Sequence, residues 1–415
     1  MIGVGRHRGS AADQASGVDR GARRAGTGWT SLELGLLDPD VETSYWIALS
    51  LVPGVGPVGF ARLLHRFGTA RAAWAAGQTL LEELPRVPDE AASGLARLRR
   101  EGATKVAARV TAAAQLAGAA VVTAMNPAYP SALAAADPRP PLIYLAGDAA
   151  ALSAPSVAIV GTRRATGYGR SCASEIADEL ARAGVTVVSG LAIGIDGQAH
   201  SSAVEAGGRS VAVLPSPIDR IYPPRHRELA ARLVATGGAL VSELAPSYTP
   251  GKPDFARRNR IIAGLVRAVV VVEAPDHSGA LLTAAAAIDY GREVFAVPGP
   301  IDAVASRGCN RLIADHQATI VTSAASLLHR IGVAQGERPV SVASLSDAEG
   351  LVLNRLLERP GSIDELLGRT GFGTGSLAST LTLLEARGLV DSYGGATFHA
   401  TLAARRIGRE GGRRA

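Results

Sequence analysis

At 415 residues the chain is long enough for two or three domains, and 47% hydrophobic residues exclude wholesale disorder. No apolar run reaches the ~18 residues of a membrane helix, the N-terminus lacks the apolar core of a secretory signal, and the two cysteines, Cys172 and Cys309, sit at no metal-ligand spacing and imply no disulfide framework, which fits a reducing cytoplasm. The net charge of +6 is a modest excess, but Lys105 and Lys252 are the only lysines, so nearly every cation is a guanidinium, suited to phosphate forks and to stacking on bases. A codon preference for Arg explains most surface arginines as well, so a site has to be sought in particular loops.

Residues 1 to about 40 are rich in Gly, Ala and Arg without hydrophobic periodicity and read as a disordered basic tail, or as translation from a start codon upstream of the true one. From about 41 to 125 the spacing is helical. Trp46, Leu49 and Val52 lead into Pro53-Gly54-Val55-Gly56-Pro57, and Phe60, Leu63, Leu64 and Phe67 follow. Helix, tight turn and helix describe a helix-hairpin-helix. The turn's N–H groups can receive a phosphate at the second helix start, or the glycines only turn the chain. No basic residue sits in the turn, so both readings stand.

The period changes over residues 126–333. Short β-branched runs at 156–160, 185–188, 210–214, 239–241, 269–272, 294–297 and 319–321 alternate with Ala-rich helical stretches. Continuous apolar runs mean strands buried on both faces, hence a mostly parallel sheet. Helices between them make a Rossmann-like, doubly wound α/β domain. Residues 334–344 are a polar linker. Within 345–402, Ile363, Leu366 and Leu367 mark one helix and Leu377, Leu381 and Leu384 the next. Gly394-Gly395 then closes a hairpin, the order of a winged helix. Residues 403–415 form a second loose basic end.

Ligands of an open α/β sheet bind outside the carboxyl ends of its strands. The first run ends in Gly161-Thr162-Arg163, with further glycines at 167 and 169. These glycines let backbone approach an anion, the next helix aims its N–H groups there, and Arg163 adds a charged fork. The spacing is not Gly-x-Gly-x-x-Gly, and no acidic residue ends the next strand to hold a ribose. A dinucleotide cofactor is therefore disfavoured, and no other cofactor or metal is implied. The second run ends in Ser189-Gly190, another glycine-rich turn that continues to Asp196. Two such turns side by side offer more than one phosphate needs, as a polynucleotide backbone would use. Asp196 and His200, one helical turn apart, suit either acid–base work or a structural role behind the loop. No nucleophile or metal partner accompanies them, which favours structure. Glu243 and Glu273 also end strands and are preferred as anchors for loop N–H groups.

The stretch Lys252-Pro253-Asp254-Phe255-Ala256-Arg257-Arg258-Asn259-Arg260 mixes cations with an aromatic. Phosphates take the cations, and an unpaired base takes the ring. Arg257 and Arg260 share one face of a helix starting near Phe255. The competing reading pairs these arginines with Glu243 or Glu273.

Together these loops resemble the DNA-processing protein A family (DprA, also called Smf). The resemblance runs from about residue 125 to 325. It is carried by Val157-Ala158-Ile159-Val160-Gly161-Thr162-Arg163, by Ser189-Gly190-Leu191-Ala192-x-Gly194-Ile195-Asp196-x-x-Ala199-His200, and by Arg257-x-Asn259-Arg260-Ile261-Ile262-Ala263-Gly264-Leu265. Ser278-Gly279-Ala280-Leu281-Leu282-Thr283, Val297-Pro298-Gly299 and Gly308-Cys309-Asn310-Arg311 complete it. The resemblance implies a cytoplasmic recombination mediator, usually dimeric, that binds single-stranded DNA and helps load the RecA recombinase during natural transformation, without enzymatic activity. It implies that Arg163 and Lys252 hold phosphates and that Phe255 stacks a base. Three positions depart from the family pattern. Ala256 replaces a proline, Pro224 stands where a basic residue is usual with Arg225 following as its substitute, and Val266 replaces a serine.

Two other classes compete. A Rossmann-like nucleotide hydrolase of the lysine-decarboxylase-like group would carry a Pro-Gly-Gly-x-Gly-Thr-x-x-Glu run, and Val297-Pro298-Gly299-Pro300 is no such run. A sequence-specific regulator would read bases from the helix near 375–387, which offers mainly Ser and Thr.

Overall fold

The computed structural model describes residues 39–333, 345–386, 389–393, 397–401 and 404. The expectations for both basic tails, for the 334–344 linker and for the Gly394-Gly395 turn fall outside these residues. The chain divides into two compact units, 1–335 and 336–415.

The first unit opens with helices Pro39–Ser50 and Pro57–Phe67. Pro57 at the helix start presets the backbone angle and has no N–H to leave unpaired. The turn between them is packed, with Gly54 against Pro88 and Gly94 against Pro53. Trp46, Leu49, Val52, Phe60, Leu63 and Leu64 form the core of this helical part. Its last helix, Ala103–Leu116, lies on the sheet, where Ala107, Val110 and Ala114 join Leu142 and Tyr144 in one buried cluster.

The sheet has nine strands in the order β1-β2-β6-β5-β4-β3-β7-β8-β9. Strands β3 (Ser156–Val160), β4 (Thr186–Ser189), β5 (Ser210–Val213), β6 (Ala239–Ser242), β7 (Ala268–Val271), β8 (Glu293–Ala296) and β9 (Thr319–Ile320) are parallel. They coincide with the seven apolar runs. Alternate residues serve opposite faces. Ala158 and Val160 of β3 pack with the helices Lys252–Leu265 and Gly279–Asp289, while Val157 and Ile159 pack with Gly167–Arg182 and Ile195–Glu205. Strands β1 (Ala120–Thr123) and β2 (Leu142–Gly147) add an antiparallel edge through β2–β6 pairing. The sheet therefore begins inside the stretch read as helical to 125. Among the described residues no helix is long and apolar enough to cross a membrane.

The second unit has helices Asp347–Glu358, Ile363–Thr370 and Thr374–Ala386. Its three-stranded sheet is β10-β12-β11, from Gly361–Ser362, Thr397–Ala400 and Val390–Tyr393. Ser346 and Ser362 cap the first two helices by accepting Glu349 N and Glu365 N. Leu366, Leu377, Leu381 and Leu384 are core residues. This is the winged-helix order.

Candidate nucleic-acid interface

After β3 the chain goes to β4, β5 and β6 on one side, then crosses back to β7 on the other. The loops after β3 and β7 thus part at the switch point, where such sheets bind ligands. Glu273, just past β7, laces the first loop across that point. Thr162 N donates to Glu273 O at 2.7 Å, Thr166 N to Oε2 at 3.0 Å and the Thr166 hydroxyl to Oε1 at 2.5 Å. The Glu273 side chain is 2% exposed. Its carboxylate already occupies the start of the Gly167–Arg182 helix, and Thr166 Oγ1 caps Gly169 N at 3.1 Å. This corrects the expectation of a phosphate at that helix end, because two anions there repel each other. A side chain at Gly161 would collide with Ile195 and the Glu273 carbonyl. Gly161 and Thr162 therefore build the loop, and Arg163 projects from it exposed.

The second loop is bound just as internally. Asp196 Oδ2 accepts Gly190 N at 3.1 Å and Ala192 N at 3.4 Å. Leu191, held at a φ of 55°, donates its N–H to His200 Nε2 at 3.3 Å and its carbonyl accepts from His226 Nδ1 at 2.8 Å. His200 Nε2 must be unprotonated to accept, so Nδ1–H donates to Ser210 Oγ at 2.7 Å, which donates on to Val187 O at 2.8 Å. Burial, with the charges of His226 and Arg258, brings His200 down to about 3. Asp196 and His200 thus hold the loop from behind. The Ser189 hydroxyl is fully buried and donates to Ile159 O at 2.6 Å. The expectation that this turn presents a second set of amides and the Ser189 hydroxyl to an anion is corrected, since those groups are spent inside the fold.

What the two loops leave open is a narrow crevice of about 20 Å³ lined by Arg163, Gly190, Tyr222, Phe255 and Arg258. The Arg163 guanidinium lies 5.2 Å from the Phe255 ring centre. Tyr222, 44% exposed, meets the same ring edge-on at 5.5 Å. Arg163 and Phe255, 92 residues apart in sequence by their numbers, are therefore in one cluster. Lys252 is exposed at the first position of the helix that carries Phe255. Asp254 Oδ2 fixes that helix start by accepting Gly251 N at 2.7 Å. Arg225 opens instead onto a separate cavity of about 310 Å³ with Gln198, Ser201, His226, Glu228 and Arg232. Among the described residues none of Arg163, Lys252 and Arg225 has an acidic partner.

Three residues of the cationic stretch turn elsewhere. Glu243 pairs with Arg257 at 2.9 Å and with Arg260 at 2.5 Å, and Arg260 also donates to Pro138 O at 3.2 Å. Asn259 is buried and donates to Gly279 O at 3.1 Å. They fasten the helix and do not line the crevice, because the helical repeat sends 255 and 258 to one side and 257 and 260 to another. Sequence reasoning missed Tyr222 and Arg258. The i, i+3 relation of Phe255 to Arg258 was the available signal for the second. No comparable signal marked Tyr222.

The family description DNA recombination-mediator protein A matches residues 120–332, the DprA-like N-terminal HHH domain residues 40–112, and the DprA winged helix domain residues 336–396. Protein Smf of Synechocystis sp. is 32% identical over 396 residues, covering 86% of this chain and 98% of that protein. Protein Smf of Escherichia coli is 44% identical over 203 residues, 49% of this chain and 54% of its own length. The X-ray structure of DNA processing protein A from Streptococcus pneumoniae superimposes with a TM-score of 0.60 at 28% identity, over 69% of this chain and 97% of that one. Three matched segments in order, with the Arg163–Phe255 crevice inside the longest, make this chain a member of the DNA recombination-mediator protein A family.

Proposed function

We propose that the chain binds single-stranded DNA at the mouth of the Arg163–Phe255 crevice and acts, as a cytoplasmic homodimer and without catalysis, to protect the strand and help load the RecA recombinase, as in natural transformation. One observation carries this reading. A guanidinium with no acidic partner among the described residues and two aromatic rings meet above the carboxyl ends of β3, β4 and β5, with Arg163 5.2 Å from Phe255 and Tyr222 5.5 Å from the same ring. A single strand offers a phosphate and an unstacked base at every nucleotide, and this cluster has a partner for each. A duplex hides its bases and uses only the cations. Arg163 and Lys252 take phosphates, Phe255 takes a base, and Arg225 extends the path past His226. Gly161, Thr162, Ser189 and Gly190 shape the walls, and Arg257, Asn259 and Arg260 hold the helix in place.

Among the described residues the crevice lining includes no carboxylate, histidine, serine or cysteine. The nearest acids are committed to loop N–H groups. The test is an anisotropy titration with an oligo-dT and a duplex of equal length, with the mass of each complex recorded. A preference for the single strand and a mass containing two chains are expected. Equal affinity for both would overturn the reading. Release of free base from nucleoside monophosphates by the pure protein would restore the hydrolase.

A further inference from the structure

The crevice holds a second guanidinium to which the reading above gives no task. Arg258 is 7% exposed, yet it lines the crevice with Arg163. Its hydrogen bonds go to neutral acceptors, Nη1 to Val213 O at 2.6 Å and Nε to Asn259 Oδ1 at 3.3 Å. Its neighbours Arg257 and Arg260 share Glu243, whereas no ion pair reaches Arg258 among the described residues. The carboxylate that acts on it is Asp196, whose Oδ2 already accepts two backbone N–H groups. Gly190 makes the room, since a side chain there would run into the guanidinium. A buried cation whose nearby carboxylate makes no ion pair with it among the described residues is costly, and this one stands at the wall of the crevice. Burial, opposed by Asp196 and reinforced by the Arg163 charge, brings Arg258 down to about 10, so it remains a cation at neutral pH.

We propose that Arg258 is the inner half of a phosphate clamp, in which Arg163 from the rim and Arg258 from the floor grip one backbone phosphate of the bound strand. The inference rests on the reading above and adds the residue that reaches the phosphate at the crevice mouth from the floor. Two planar forks at one phosphate fix its orientation as well as its charge. The nucleotide's base is then left beside Phe255 and Tyr222.

The test uses the full-length protein with inorganic phosphate and with an oligo-dT. Phosphate that binds only the folded form raises the melting temperature, with a stabilisation that grows as RT ln(1 + c/Kd), where c is the phosphate concentration. The wild type is expected to show this rise. Arg258→Gln is expected to lose most of it and to flatten the salt slope of oligo-dT binding by up to ~0.7, the share of one phosphate contact on a single strand, since Arg163 still faces the same phosphate. Arg258→Lys, which keeps the charge, is expected to recover part of both. If Arg258→Gln melts earlier but keeps the wild-type phosphate response and salt slope, Arg258 is structural and the clamp is wrong. Should that variant fail to fold, Gly190→Ala displaces the guanidinium without removing its charge. A lost phosphate response and a flatter slope in Gly190→Ala then support the clamp, and wild-type values of both overturn it. Loss of oligo-dT binding in Arg163→Ala alongside silent variants at 258 and 190 would sink the clamp and leave the proposed function standing. Silence at Arg163, Phe255 and Arg258 together would sink both.

Discussion

At the scale of single residues the site separates charge from stacking. Phe255 contributes a ring and no cation. Its removal is expected to weaken oligo-dT binding about tenfold, within the ~1–3 kcal/mol of one base stack, and to leave the salt dependence unchanged. A large change of salt slope in Phe255→Ala would mean that the ring only positions Arg163. His200 makes a prediction about stability. Its folded pKa of about 3 lies below the ordinary 6.5, so the unfolded chain takes up a proton that the folded one refuses. The contribution is fully present above 6.5 and is lost as pH falls toward 3, at up to ~1.4 kcal/mol per pH unit. Burial raises Asp196 and works in the opposite sense, so the comparison is between variant and wild type. Denaturant unfolding at pH 7 and pH 5 is expected to show a smaller acid loss in His200→Gln; an equal loss would contradict the assignment.

Arg163 and Phe255 were legible from sequence because a cation beside a glycine turn and an aromatic within a cationic run are local signals. Ser189 and Asn259 were misplaced for the same reason. A small polar residue in such a run reads alike whether it faces a ligand or, as here, the carbonyls of Ile159 and Gly279. Tyr222 was out of reach because its neighbour Phe255 comes from another loop, whereas the i, i+3 spacing of Phe255 and Arg258 on one helix was readable and went unused.

At the scale of elements the parallel strands were readable, since burial on both faces makes each an uninterrupted apolar run. Strands β1 and β2 were not. They are an antiparallel addition whose attachment, β2 on β6, is a long-range pairing. The loop after β3 was read as open to an anion, and the reason it is not lies in Glu273 on a different strand end. That strap makes a prediction of its own. Glu273→Ala leaves Thr166 N without its acceptor and should cost ~1–3 kcal/mol of stability, the penalty of an orphaned buried group. It should also weaken oligo-dT binding, because the loop that carries Arg163 loses its tether. Unchanged stability in Glu273→Ala would show that the strap does not hold the loop.

At the scale of the whole molecule, the helical part and the α/β part share one compact unit, and the winged helix forms its own. The order of three parts was legible from changes in hydrophobic period. Packing of the helix Ala103–Leu116 onto the sheet was not, because its Ala-rich face looks the same against a helix or a strand. All the proposed strand contacts lie in the first unit. A chain ending at residue 335 is therefore expected to keep the oligo-dT affinity and salt slope of the full protein. A lost slope would assign phosphate contacts to the winged helix. Exposed cations around the Arg163–Phe255 crevice hold the phosphates of a single strand in this account. It is tested most directly by the slope of log K against log salt for oligo-dT, in the wild type and in Arg163→Ala combined with Lys252→Ala. Removing two phosphate contacts should weaken binding and flatten the slope by ~1.4. Affinity and slope unchanged from the wild type would contradict it.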